Sequence, residues 1–333
     1  MASNKSATKA KASKLICQSP SLSKLLLSQS LLCVMAVAVA EAEAEAEAEA
    51  EAEAEAEAEA EAVAEADEGE ERERLGSYKG EVRVVKEAAE EILLLWALQQ
   101  PTSHTQNSFV RHTSLQLNLQ ACGRNLTIFQ SPSSMSTPGV TGAVTWDSGV
   151  VLGKFLEHAV DSGLLVLQGA KAVELGSGCG LIGCIAALLG AQVIMTDLPD
   201  RLRLLKKNIQ TNLLDIGGIR GSATVSKLTW GDDLDRDFTD LLPNYVLASD
   251  VVYNEEAVTE LLITLKHLSG SHTTTFMAGE LRNDAVLEYF LEAAMEEFIV
   301  GHVDQALWHP EFCSNRVAIF VLVKKSKVGV EKY

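Results

Sequence analysis

The chain has 333 residues, with 46 acidic against 28 basic side chains, a net charge of −18 and 47% hydrophobic residues. The acidity is local: residues 41–74 hold 17 acids and two arginines, the first forty carry five lysines and no acid, and residues 75–333 keep a net charge of −8. With no Lys/Arg-rich run in that globular part, direct nucleic-acid binding is disfavoured. Six cysteines (17, 33, 122, 179, 184 and 313) without a C-x-x-C pair argue against a zinc site or a disulfide framework and for a cytosolic-type compartment.

Residues 1–74 form a low-complexity tail, basic and serine-rich and then a Glu-Ala repeat. On a helix the repeated glutamates go round all sides and repel one another at i,i+4. On a strand one face would be all carboxylate, so the tail is expected to be disordered. Its lysines at 5, 9, 11 and 14 resemble a transit peptide, and LLCVMAVAVA (31–40) a short signal region. A plastid or other organelle is therefore the alternative to the cytoplasm. The Ala-Val end runs directly into the repeat, and the stretch is too short to span a membrane. The Asn125-Leu-Thr127 sequon lies in a strand-like run and matters only in a secreted chain.

The globular domain begins at residue 75. Residues 86–100 (KEAAEEILLLWALQQ) predict a helix stopped by Pro101. SLQLNLQ (114–120) and LTIFQ (126–130) predict a hairpin, and 131–139 a loop, completing a 75–141 segment. From Gly142 to the end, helices at 148–160, 181–189, 200–213, 255–268 and 284–297 alternate with strands at 171–175, 192–197, 223–229, 245–250 and 274–279. FIVGHV and RVAIFVLVKK follow without an intervening helix and are expected to pair antiparallel. Such alternation implies a Rossmann-like parallel sheet with helices on both faces and a ligand outside the carboxyl ends of the strands.

At the end of the first central strand lies VELGSGCGLIG (173–183). Gly178 to Gly183 fit the dinucleotide pattern G-x-G-x-x-G, with Asp197 placed 19 residues later as a ribose acceptor. Glu174 to Gly180 fit acidic-x-G-x-G-x-G instead. Spacing alone does not choose between them. A carboxylate at Glu174 would repel a pyrophosphate but favour a cationic adenosine ligand, and S-adenosylmethionine is one. Gly183 then serves helix–sheet packing. Read alone, Trp146 and Trp230 are equally core anchors, and Asp250 and Tyr253 equally a strand-end cap and a packing aromatic.

GAVTWDSGVVLGKFLE (142–157), VELGSGCGLIG, VIMTDLP (193–199), LTWGDDL (228–234) and ASDVVY (248–253) occur in that order. Together they resemble the eukaryotic seven-β-strand lysine methyltransferases of the methyltransferase-like group, over about residues 80–325. Relatives there modify chaperones, including heat-shock proteins and valosin-containing protein, and translation factors. The resemblance implies a class I methyltransferase fold: a seven-stranded sheet with an antiparallel last strand, plus the N-terminal hairpin. It implies S-adenosylmethionine as cofactor, no metal, and a protein lysine as acceptor; a monomer is expected because no heptad or large exposed apolar helix appears after residue 75. Gly176, Ser177, Gly178 and Gly180 would line the cofactor backbone beside Glu174, Asp197 would bind the ribose, and Trp230 would lie near the adenine. Trp146 and Ser249 would close the methionine side, and Asp250 and Tyr253 would orient the amine. A nicotinamide-dependent oxidoreductase, a small-molecule methyltransferase and a fold kept only for binding remain as alternatives.

Overall fold

The computed structural model describes residues 71–99, 109–136, 142–214, 221–235, 238 and 242–326. The expected tail falls outside the described residues up to position 70. In chain order the elements begin with β1 (Arg72–Glu73), β2 (Val82–Val84), α1 (Ala88–Gln99) and the hairpin β3 (Gln116–Ala121) and β4 (Arg124–Phe129). The alternating part follows as α2 (Asp147–Asp161), β5 (Lys171–Leu175), α3 (Leu181–Leu188), β6 (Gln192–Asp197), α4 (Leu202–Leu213) and β7 (Ser222–Lys227). It closes with β8 (Tyr245–Ser249), α5 (Glu255–Leu268), β9 (Thr274–Glu280), α6 (Asp284–Glu297), β10 (Phe298–His302) and β11 (Val317–Lys324).

One sheet runs β1-β2-β10-β11-β9-β8-β5-β6-β7, with β3 and β4 apart as a two-stranded hairpin. Strands β5 to β9 pair parallel, and β11 inserts antiparallel between β9 and β10. Among the described residues the seven expected strands, β5 to β11, are present, and two more bring the sheet to nine. The two extra strands are short: β2 adds antiparallel to β10, and β1 to β2. β1 lies on the N-terminal side of the 74/75 boundary drawn from composition. The segment expected as a plain loop, 131–139, holds a 3-10 turn at Pro132–Ser136.

Both faces of the sheet are covered, which is why its central strands read as continuous apolar runs rather than alternating ones. Phe155, Leu152, Ile182 and Leu205 pack under α2, α3 and α4 on one face. Leu95, Leu261, Leu265 and Phe290 pack under α1, α5 and α6 on the other. Helix α3 is buried nearly all round, as expected of an apolar helix covered on several sides. It lies so close to α2 that a Cβ at Gly153 would come within 2.6 Å of Ile185.

Two asparagines fix the hairpin against α4. Asn212 accepts from the Thr127 amide at 2.8 Å and donates to its carbonyl at 2.9 Å; Asn208 does the same for Phe129, at 2.9 Å each way. They satisfy the outer edge of β4, which would otherwise present open donors and acceptors. Asn208 also donates to the Cys179 carbonyl at 2.8 Å, so the hairpin, α4 and the glycine loop share one network.

The added strand β2 is held by charge. Arg83 and Glu91 form a buried two-pronged ion pair joining β2 to α1, and Arg83 Nη2 lies 2.9 Å from His302 Nδ1 on β10. Burial, helped by Arg83, pushes the His302 imidazole down to about 3, so it stays neutral and accepts. Removing one partner of a buried pair leaves the other uncompensated. Glu91→Ala is expected to destabilise the protein by ~3–5 kcal/mol, read as a lower urea midpoint with the slope unchanged.

Candidate active site

Three glycines make the loop after β5 possible. Gly176, Gly178 and Gly180 have φ of 61°, 50° and 81°, in the left-handed region where side chains are strained. A Cβ at Gly176 would sit 3.2 Å from Trp230 and from Val251, and one at Gly178 3.1 Å from the Gly142 carbonyl. The loop is anchored beneath by Ser177 N donating to the Thr196 carbonyl at 2.8 Å and Thr196 Oγ1 to the Glu174 carbonyl at 2.7 Å. Gly183 is a packing residue: its Cβ would strike Glu174 Oε2 at 2.5 Å and Met195 at 2.6 Å.

Asp197, at the end of β6, accepts from the Gly178 amide at 2.7 Å through Oδ2 and from the Leu198 amide at 2.7 Å through Oδ1. Burial raises its carboxyl above the ordinary range, and those two amides oppose the rise. Each oxygen keeps a lone pair free for a ligand hydroxyl. Glu174 is 2% exposed, and its Oε2 has no hydrogen-bond partner. Burial pushes its carboxyl up to about 8, with the nearby Ser177 hydroxyl and Gly183 amide opposing the rise. Burial thus favours the neutral acid over the charge read from the sequence.

The end of β8 supplies the other wall. Asp250 has φ of 56° although it is not glycine, and its amide donates to the Ala278 carbonyl at 2.8 Å. Aspartate tolerates that conformation better than most residues, and strained backbone of this kind gathers at functional sites. The Tyr253 ring lies 6.3 Å from that of Trp230. Trp146, just before α2, packs edge-on to His112 at 4.4 Å.

These groups converge. A cavity of ≈ 200 Å³ is lined by Trp146, Glu174, Gly176, Ser177, Gly178, Gly180, Asp197, Trp230, Ser249, Asp250 and Tyr253. It opens at the carboxyl ends of β5, β6 and β8, where strand order reverses about β5. All eleven residues singled out in the sequence thus meet in one space. Two neighbours of Asp250 were missed: Arg282 forms an ion pair with it, and Glu280 follows on β9, with Glu280 Oε2 3.6 Å from Arg282 Nε. No motif or spacing marks them. Among the described residues no cluster has the makings of a metal site.

The site suits a ligand with ribose hydroxyls, a flat base and a cation: a carboxylate at a second strand end, two indoles, and an unpartnered buried carboxylate behind a loop without side chains. A Rossmann-like sheet carrying that site defines a methyltransferase. Residues 124–297 match the family model described as lysine methyltransferase. The chain is 40% identical over 161 residues to protein N-lysine methyltransferase METTL21A of Mus musculus, across 48% of this chain and 70% of the relative. The relative of that name in Danio rerio is 39% identical over 165 residues, with the same coverage. EEF1A lysine methyltransferase 3 of Mus musculus is 36% identical over 180 residues, across 53% and 70%. The chain belongs to the lysine methyltransferase family, with S-adenosylmethionine as its methyl donor.

The raised Glu174 carboxyl has a measurable sign. A folded-state value of about 8 against an ordinary 4.5 means that folding favours the neutral acid. That contribution is complete below pH 4.5 and is lost as pH rises through 8. Glu174→Gln, which cannot ionise, should gain in melting temperature over the wild type as pH increases from 5 to ~8.5 without ligand. Parallel curves for the two proteins would contradict the buried placement.

Proposed function

We propose that this chain methylates a lysine side chain of a protein, with Asp250 and Tyr253 presenting the amine to the methyl donor held by the glycine loop. The observation that carries this reading is the meeting of the loop, Asp197, Trp230 and the Asp250–Tyr253 segment in one cavity at the strand ends.

Bound S-adenosylmethionine supplies a methyl group on a positively charged sulfur that departs as a neutral thioether. The chain's residues do the rest. The loop, free of side chains at Gly176 and Gly178, lets a ligand lie against backbone. Asp197 accepts from ribose hydroxyls, Trp230 covers the base, Glu174 offers its unpartnered oxygen toward positive charge, and Trp146 and Ser249 close the amino-acid end. Free lysine has a pKa of ~10.4, so at neutral pH about one in a thousand is deprotonated. A partly desolvated slot lowers that value. Asp250 is already paired with Arg282. Its task, with the Tyr253 hydroxyl, is to aim the amine, and the rate comes mainly from that positioning.

The relatives supply the substrate class. One is named for EEF1A and others for protein N-lysine methylation. A chaperone or a translation factor is the substrate proposed here, acted on by a monomer in the cytoplasm with no direct nucleic-acid partner.

The test is transfer of labelled methyl from S-adenosylmethionine into a cell extract, followed by acid hydrolysis and amino-acid analysis. Label is expected as methyl-lysine in one or a few protein bands. Asp250→Ala should lose ~100-fold of the transfer, the scale of a misplaced reactant, and Tyr253→Phe ~10-fold or more. Label confined to small molecules, or full transfer by both variants, would overturn the reading.

A further inference from the structure

The guanidinium of Arg282 sits among three groups that suit a cation. It pairs with Asp250, its Nε lies 3.6 Å from Glu280 Oε2, and its centre lies 4.2 Å from the Trp146 ring, within cation–π range. Two of these, Trp146 and Asp250, line the methyl-donor cavity. Glu280 and Arg282 line a second cavity of ≈ 110 Å³, otherwise walled mainly by apolar residues such as Val252, Met277, Leu287 and Phe290. Tyr253 borders both spaces. Arg282 therefore stands where the two meet.

The carboxylates and the cation are held very differently. The side chains of Glu280 and Asp250 are 3% and 9% exposed, whereas that of Arg282 is 38% exposed. Glu280 Oε1 accepts from the Asp147 amide at 3.0 Å, and Asp250 Oδ1 from the Glu280 amide at 3.3 Å. Backbone thus fixes both acids. The backbone beside Arg282 is fixed too, with the Leu281 amide donating to the Arg316 carbonyl at 2.7 Å. The arginine side chain is the exposed member of the group, and its head group regains water on leaving. Without it, two largely buried acids would face each other with no cation between them, which raises the cost of leaving the place empty. Burial already raises the Glu280 carboxyl, and Arg282 opposes that rise.

We propose that Arg282 is a built-in stand-in for the acceptor: its guanidinium holds the seat, made by Asp250, Glu280 and the Trp146 ring, that a substrate lysine ammonium takes when Arg282 swings aside. Glu280 is then a positioning residue for the acceptor, and the second cavity takes the apolar stem of the incoming lysine. One cation replaces another, so the seat is never left uncompensated. A side chain that carries no charge gains no such exchange, so the seat selects lysine when it docks as the ammonium; transfer follows once that proton has passed to solvent, which the apolar wall around the seat favours. This rests on the methyltransferase reading above, and the experiment separates the two.

The probe is an S-adenosylhomocysteine analogue with nitrogen in place of sulfur, bearing a 2-aminoethyl arm that puts its ammonium where the acceptor nitrogen would lie. The same molecule with an ethyl arm and S-adenosylhomocysteine itself are the controls. Each is titrated calorimetrically into the full chain, Arg282→Ala, Arg282→Gln and Glu280→Gln, after circular dichroism has verified folding. With the competitor removed, both arginine variants should bind the aminoethyl analogue ~10-fold tighter than the wild type, one ion-pair or cation–π contact's worth. Glu280→Gln should bind it ~10-fold more weakly, with both controls within about twofold throughout. Weaker or unchanged binding of the aminoethyl analogue by the arginine variants would overturn the proposal, and so would an equal gain for the ethyl arm, which would make Arg282 a steric plug. Failure of S-adenosylhomocysteine to bind the folded wild type would overturn the methyl-donor reading itself.

Discussion

A hydrogen bond of 2.7 Å from the Gly178 amide to Asp197 ties the carboxyl ends of β5 and β6 together. It is possible only because Gly178 has a positive φ and no side chain, with the Gly142 carbonyl where a Cβ would need room. From that contact the rest of the site follows. The loop is pulled across the strand ends, its backbone becomes the floor of the cavity, and Asp197 is aimed upward beside it. Below, Asn208 joins the loop to α4 and to the hairpin, so an element far from the sheet centre helps hold the floor in place.

Charge is rationed around this floor. Glu174 lies buried with its carboxyl raised, whereas Asp250 and Glu280 are balanced by Arg282. The same device recurs at the far edge of the sheet, where Arg83 and Glu91 neutralise each other beside His302. There all three groups are buried, and the pair joins β2 to the body. Beside the active site the cation is half exposed instead. That contrast in exposure separates a fixed ion pair from one free to exchange its partner.

The central strands were legible in the sequence because burial on both faces leaves unbroken apolar runs, and glycine or proline marks their ends. Strands β5, β6, β8 and β9 fall within a residue of their expected bounds. Strands β1 and β2 were not legible: two and three residues carry no periodicity, and Arg83 looks like a surface residue until Glu91 is folded against it. Of the eleven residues that meet in the cavity, the glycines, Glu174 and Asp197 leave a local trace, whereas Trp146, Ser177, Trp230, Ser249, Asp250 and Tyr253 were marked only by the family resemblance of their motifs. Glu280 and Arg282 leave none. They reach Asp250 through the pairing of β8 with β9, across some thirty residues. Glu174 was located but its surroundings were not: the sequence suggests a charge, and burial raises its carboxyl instead.

The loop sequence alone fits both a dinucleotide and a methyl donor, and the account depends on the second. The most direct measurement is calorimetric titration of the full chain with S-adenosylhomocysteine and, separately, with NAD. One-to-one binding of S-adenosylhomocysteine, abolished by Gly178→Val, is expected, with no heat of binding from NAD. Binding of NAD that Gly178→Val abolishes, or a folded chain that ignores S-adenosylhomocysteine, would contradict it.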